Sequence, residues 1–265
     1  MHERLAVHEI SFPAEIGLSD SLSWARAHGI DRIGLVTGRH PHGWSATLRE
    51  LDLTGVAIAY ICHARMFELE DQSTWEPSLE SLIESINAAV ATGANVVYTT
   101  TGPAGQLSFD AAVDALARAV RPAVEHANSV GVRLLTETAN QIFAGSHCLH
   151  TLVDTIDACE ATGLGLCLDV HAVWRERDLQ RQIVRAAPLT GLVQLSDFVP
   201  GTLSVRRHPI GDGIIPIRDF VAKVLDSGYA GTFDLELFQL PRATAFSDIA
   251  VSVERMTAML TDLGA

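Results

Sequence analysis

The chain has 265 residues, 48% of them apolar, and a formal net charge of −13. That length suits one domain with a substantial core, the size of a (β/α)8 barrel, which typically runs to about 250 residues. The negative balance argues against a nucleic-acid partner, because phosphate binding needs a cationic footprint that releases counterions.

Short apolar runs alternate with longer helical patterns along the whole chain. The strand candidates are Arg4–Ile10, Arg32–Thr37, Val56–Cys62, Asn95–Thr99, Val132–Glu137, Gly165–Asp169, Leu192–Ser196 and Thr232–Leu237. Between them lie helical stretches such as Phe109–Ser129, where Val113, Leu116, Val120 and Val124 repeat at helical spacing behind a cap at Ser108. Pro122 is a potential kink in that stretch. Gly29, Gly93, Gly131, Gly163, Gly191 and Gly228 each fall between a helical pattern and the next strand, as helix-ending glycines do. Strand, helix and glycine turn, repeated to eight strands, imply a parallel sheet with helices outside. After the first strand stands Ser11-Phe12-Pro13, with no glycine-rich phosphate fingerprint, so a closed (β/α)8 TIM barrel over residues 1–265 is expected in preference to an open dinucleotide-binding sheet.

Cys62, Cys148, Cys159 and Cys167 are scattered, without paired metal-ligand spacing or a disulfide framework, and Cys167 reads as a buried, inert thiol. Met1 to Leu18 lacks a basic region followed by a long apolar core, and no apolar run approaches about 18 residues. A cytoplasmic protein with no membrane partner is the expectation. A homo-oligomer would be ordinary for such a barrel.

Polar residues fall at the C-terminal ends of the last four strands. Strand five ends Leu134-Leu135-Thr136-Glu137 and strand six ends Leu166-Cys167-Leu168-Asp169. Strand seven reads Leu192-Val193-Gln194-Leu195-Ser196-Asp197, and strand eight Phe233-Asp234-Leu235-Glu236. On a barrel those ends face the mouth where active sites are built. Glu137, Asp169, Gln194 and Glu236 would then share one small volume, an arrangement that repels itself without a cation. The donors are all hard oxygens, so Mn²⁺ or Mg²⁺ is the natural divalent ion, with Co²⁺ or Zn²⁺ as further options.

Leu135-Thr136-Glu137-Thr138-Ala139-Asn140, Leu168-Asp169-Val170-His171, Val193-Gln194-Leu195-Ser196-Asp197, Gly211-Asp212-Gly213 and Leu235-Glu236 resemble the xylose isomerase-like barrel superfamily. That group includes sugar isomerases, ketose 3-epimerases, hydroxypyruvate isomerase and endonuclease IV. The resemblance implies that Glu137, Asp169 and Glu236 are metal ligands and that Glu137 and Glu236 form an acid/base pair. Many members carry histidine where Gln194 stands, and hydroxypyruvate isomerases carry glutamine. The usual histidine three residues after the strand-six aspartate is replaced by Ala172, with His171 one residue early. The acidic residue often found at the end of strand two is absent, and Val36-Thr37-Gly38 stands there.

The implied reaction is an isomerisation or epimerisation of a small α-hydroxy-carbonyl compound, a sugar, ketose or hydroxy-keto acid. A metal on the carbonyl and hydroxyl oxygens stabilises the enediolate, while one glutamate removes the proton and the other returns it. A dehydratase or other lyase would start with the same proton removal. An endonuclease IV-like phosphodiesterase is disfavoured by the charge and by the scarcity of histidine at the strand ends, and a catalytically silent binding barrel by the presence of both glutamates.

Further residues are candidates for the substrate. His63 and His171 follow strands three and six and are expected to face the mouth, and Asn140 belongs to the strand-five motif. Arg206, Arg207 and His208 precede Gly211-Asp212-Gly213 in the long connection Asp197–Ile214, where Arg207 and His208 could hold a carboxylate or phosphate. The run Gly38-Arg39-His40-Pro41-His42-Gly43-Trp44 could wall the pocket, Trp174 and Phe198 could line it, and His8 could sit at its floor.

Overall fold

The computed structural model describes residues 1–40, 43–51, 55–64, 66–201 and 205–265. Eight parallel strands close in sequence order: β1 (Leu5–His8), β2 (Arg32–Val36), β3 (Ala57–His63), β4 (Val96–Thr99), β5 (Arg133–Glu137), β6 (Gly165–Asp169), β7 (Thr190–Leu195) and β8 (Thr232–Leu235). β8 pairs back onto β1 through Leu5 with Phe233 and Val7 with Leu235, which completes the barrel. Around it run α1 (Leu18–Ala27), α2 (Trp44–Leu51), α3 (Trp75–Thr92), α4 (Phe109–Ser129), α5 (Leu152–Thr162), α6 (Val170–Val173), α7 (Leu179–Ala186), α8 (Ile217–Asp226) and α9 (Ala245–Asp262).

Strand alternation sorts the core into two layers. Outward-facing Leu5, Ile33, Ile61, Val97, Leu134, Leu168, Val193 and Leu235 pack under the helices. Inward-facing Ala6, Tyr60, Tyr98, Leu135, Cys167 and Leu192 fill the barrel. Tyr60 crosses toward β2, where a Cβ at Gly34 would collide with its ring, so Gly34 makes room for the tyrosine.

α4 runs unbroken through the exposed Pro122, with the Ser108 hydroxyl accepting the Ala111 N–H at its start (3.3 Å). Val113, Leu116 and Val120 are buried, as their spacing requires, and Val124 is half-buried. Five of the six punctuating glycines take positive φ. The sixth, Gly191, lies inside β7, where Leu135 leaves no space for a side chain. Several strand ends also shift: β1 stops at His8 and turns into a 3-10 segment at Glu9–Ser11, while β3 extends through His63. All four cysteines are free and buried, and among the described residues no helix is long and apolar enough to cross a membrane.

Candidate active site

Alternation along β5, β6 and β8 places Glu137, Asp169 and Glu236 on the inner face at the same end of the barrel. One carboxylate oxygen from each lies within 4.8 Å of the others. All three are buried. Burial, reinforced by Glu236 and Asp169, pushes the Glu137 carboxyl well above the ordinary glutamate range. Burial also raises Glu236, to about 7, against the lowering effect of Arg207. Arg207 itself is buried with them. Its Nη2 stands 2.9 Å from Asp169 Oδ2 and 3.6 Å from Glu236 Oε2. Desolvation opposes its charge, but the two carboxylates outweigh it and raise the guanidinium pKa.

Three carboxylates against one guanidinium leave two negative charges, the complement of one divalent cation. Converging hard oxygens therefore fit a divalent ion held by Glu137, Asp169 and Glu236.

Above the cluster opens a cavity of about 250 Å³, lined by Glu137, Glu236 and Arg207 but not by Asp169. Its inner wall includes His8 and Tyr98. The Ile10 N–H donates to His8 Nδ1 (3.1 Å), which places the proton of the neutral ring on Nε2 and lets that atom donate to the Tyr98 hydroxyl (2.7 Å). Burial holds His8 at about 3, so the ring stays neutral.

A second support holds Arg207. Asp197 accepts four backbone N–H groups, from Phe198 (2.8 Å) and Ile215 (3.0 Å) at Oδ1, and from Gly211 (3.0 Å) and Gly213 (2.9 Å) at Oδ2. Asp197 also pairs with His208 in an antiparallel bridge, and the Arg207 N–H reaches the Phe238 carbonyl (2.9 Å) beyond β8. The Gly211-Asp212-Gly213 motif is thus the far side of a clamp that aims Arg207 inward.

The sequence profile of the xylose isomerase-like TIM barrel family matches residues 22–254. The chain belongs to this family. Among solved structures, a protein of Sinorhizobium meliloti 1021 is 24% identical with a TM-score of 0.84, over 97% of this chain and 98% of its own. A xylose isomerase-like TIM barrel protein of Mycobacterium smegmatis, in complex with magnesium, is 18% identical with a TM-score of 0.74, over 99% and 98%. D-psicose 3-epimerase of Clostridium cellulolyticum H10, solved with D-tagatose, is 14% identical with a TM-score of 0.73, over 98% of each chain. At these identities the likeness is one of fold. No curated protein matches the chain.

In this xylose isomerase-like barrel the sequence-derived candidates divide into groups. Glu137, Asp169, Glu236 and Arg207 come together as described. Gln194 sits beside Asp169 in register, fully buried. Its Oε1 accepts from the Cys167 thiol (3.1 Å), a weak donor, and its Nε2 donates to the Tyr98 hydroxyl (3.2 Å). Asn140 lines the cavity, with its Oδ1 accepting the Ile142 N–H (3.2 Å).

His63 does not face the mouth. It is the last residue of β3, and alternation with inward Cys62 turns it outward, to the Ser85 hydroxyl of α3 (2.8 Å). His171 does not line the cavity either. Asp169 caps α6 by accepting the His171 N–H (2.9 Å), and the imidazole sets its ring against Phe198 at a centroid distance of 5.7 Å. His208 lies half-buried outside the cavity. Neither Trp174 nor Phe198 lines the cavity. Arg39 and His40 turn to Glu9 and the backbone behind it, whereas Pro41 and His42 lie outside the described residues.

Tyr98, His147 and Asp234 join the site without belonging to any motif read from the sequence. Tyr98 and His147 line the cavity, and burial holds His147 neutral, at about 4. Asp234 is fully buried inside the barrel, and burial pushes its carboxyl well above the aspartate range. Its signal was available: two residues before Glu236 on one strand means the same inner face.

Proposed function

We propose that this barrel is a divalent-metal-dependent isomerase or epimerase of a small α-hydroxy-carbonyl compound, with Glu137 and Glu236 as the proton-transfer pair. One observation carries this reading. Of the three clustered carboxylates, the two glutamates line the cavity and Asp169 does not. Asp169 then serves only as ligand and anchor of Arg207, while the glutamates, rooted on β5 and β8, reach a bound molecule from different strands.

Glu137, Asp169 and Glu236 would hold the ion, with Gln194, beside Asp169 in register, as the fourth candidate ligand. Mn²⁺ or Mg²⁺ suits this oxygen donor set. When bound, the ion polarises the substrate carbonyl and lowers the cost of taking the neighbouring proton. One glutamate accepts that proton from carbon. The other donates one, to the adjacent carbon in an isomerisation, where the hydroxyl proton also passes to the former carbonyl oxygen, or to the opposite face of the same carbon in an epimerisation. Arg207 keeps Asp169 and Glu236 fixed relative to each other.

The test is proton exchange with solvent. With Mg²⁺ or Mn²⁺ in D₂O, a panel of α-hydroxy ketones is followed by NMR for deuterium at the carbon beside the carbonyl. Incorporation that disappears in both Glu137→Gln and Glu236→Gln supports the assignment. Full exchange retained by either variant removes it.

A further inference from the structure

The cavity over the carboxylates has two unlike sides. Toward β4 and β5 it carries Tyr98, Thr100, Asn140 and His147, next to Glu137. The sector formed by β8, β1, β2 and β3, which are neighbours in the barrel, presents Phe238, Ile10, Val36 and Met66, with His8, Cys62 and Ala64 among them. Among the described residues, no charged side chain lines that sector above Glu236 and Arg207.

Among the described residues, the polar groups of this sector are already engaged: His8 accepts the Ile10 N–H at Nδ1 and donates to the Tyr98 hydroxyl from Nε2. Arg39 donates to the carbonyls of Glu9 (2.6 Å), Phe12 (3.0 Å) and Pro13 (2.8 Å). His40 Nε2 lies 3.0 Å from Glu9 Oε2, which also accepts the Val36 N–H at 2.8 Å. This buried network pulls Arg39, His40 and Glu9 together behind the wall and leaves the Val36 side chain on the cavity.

We infer that the substrate is an α-hydroxy-carbonyl compound bearing a small alkyl or aryl substituent, and not a free polyhydroxylated sugar. The inference rests on the proton-transfer reading for the orientation of the reacting end, which must meet Glu137 and Glu236. The remainder of the molecule then lies against Ile10, Val36, Met66 and Phe238. Among the described residues, a sugar hydroxyl pressed there loses its water and meets no side-chain partner that is not already engaged, a cost of about tenfold or more in affinity for each hydroxyl. An apolar substituent is favoured by the same desolvation. Rejection of polyhydroxylated compounds is thus built in through absent partners, without any steric block. The cavity, about 250 Å³, lies below the usual span for ligand pockets of about 300–1,000 Å³, so the substituent is small.

The experiment has a binding arm and an exchange arm, both on the full chain with Mg²⁺. Dissociation constants are measured by NMR titration for 1-hydroxy-1-phenylpropan-2-one and 3-hydroxybutan-2-one, against dihydroxyacetone and D-tagatose. The phenyl ketone is expected to bind at least about tenfold more tightly than D-tagatose. Val36→Asn should narrow that ratio, and Phe238→Ser, at a half-buried position, gives the same test should the first variant fold poorly. Equal or tighter binding of D-tagatose overturns the inference, and so does failure of every probe to bind. Deuterium exchange is recorded on the same samples. If the apolar preference holds but no probe exchanges, the proton-transfer reading falls while the apolar pocket stands.

Discussion

Arg207 donates to Asp169 Oδ2 at 2.9 Å and stands 3.6 Å from Glu236 Oε2, so a single guanidinium spans two of the three clustered carboxylates. A surface pair of this kind would contribute little, but here both partners are buried, and the loss of one exposes the other's desolvation in full. The same cation that steadies the carboxylates also repels a metal ion entering among them.

Arg207→Ala is therefore expected to act in opposite directions on two measurements. Without metal, it should destabilise the fold by about 3 kcal/mol, the usual cost of breaking a buried pair. With metal, Mn²⁺ affinity by titration calorimetry should rise about tenfold or more, because a nearby positive charge is gone. Arg207→Lys should fall between. An unchanged Mn²⁺ affinity in the alanine variant would show that Arg207 and the ion do not share these carboxylates.

Neutralising one glutamate should separate stability from chemistry. Glu137→Gln removes a carboxyl whose ionisation burial already opposes, so chemical denaturation without metal should show equal or greater stability. Solvent deuterium exchange should fall about a hundredfold or more, the usual share of a positioned acid or base. A variant that lost stability and exchange together would point to a packing role instead.

The raised pKa of Glu236 also sets a pH dependence for the metal-free protein. Its folded value, about 7, exceeds the ordinary 4.5, so between those limits the folded chain holds a proton that the unfolded chain has released. Stability from this group is complete below about pH 4.5 and is lost as pH rises toward 7. His8 and His147, held at about 3 and about 4, bind fewer protons folded than unfolded and pull the other way in this range. The Glu236 contribution is therefore read as a difference: in a chelator, the melting temperature of the parent should decline relative to that of Glu236→Gln from pH 5 to pH 7. Excess divalent ion should reduce the fall in the parent protein, since it binds the ionised form. A difference in melting temperature between the parent and Glu236→Gln that stayed constant across this range would contradict the assignment.

Gly34 and Tyr60 give a prediction for the barrel interior. Because a Cβ at position 34 would overlap the Tyr60 ring, Gly34→Ala should overpack the core by about 1–3 kcal/mol in urea unfolding. Adding Tyr60→Leu should recover part of that loss. Strictly additive effects would mean that the ring is not what the glycine accommodates.

The carboxylate cluster was legible because a parallel strand fixes both depth and facing: Glu137 and Asp169 end β5 and β6, and Glu236 follows β8 directly, two residues on from inward Asp234. His63 was misplaced because β3 runs one residue further than its apolar run, which made a supposed loop residue subject to strand alternation. His171 was misplaced because Asp169 caps a helix that begins immediately after β6, and a helical turn directs the ring away from the cavity. The Asp197 clamp joins residues up to 18 positions apart through backbone N–H groups, which leave no pattern in side-chain types. The apolar sector beside β1 and β2 was equally hidden, because Arg39 and His40 look like pocket residues until Glu9 is seen to hold them.

That clamp leads to a prediction about action at a distance. Asp197 does not line the cavity, yet its four backbone acceptor contacts fix the segment that returns from Arg207 toward α8. Asp197→Asn keeps the size but loses the charge and turns one acceptor oxygen into a donor group, facing N–H groups that need acceptors. Stability should fall by about 2–4 kcal/mol, as for loss of several bonds to a buried charge. The loosened segment should also weaken the hold of Arg207 on Asp169, and so move Mn²⁺ affinity in the direction of Arg207→Ala. The double variant provides the decisive comparison. If Asp197 acts on the metal site through Arg207, Asp197→Asn should add little to the Mn²⁺ affinity of a chain already carrying Arg207→Ala. Independent, additive changes in affinity would mean that the clamp shapes the site by some other route.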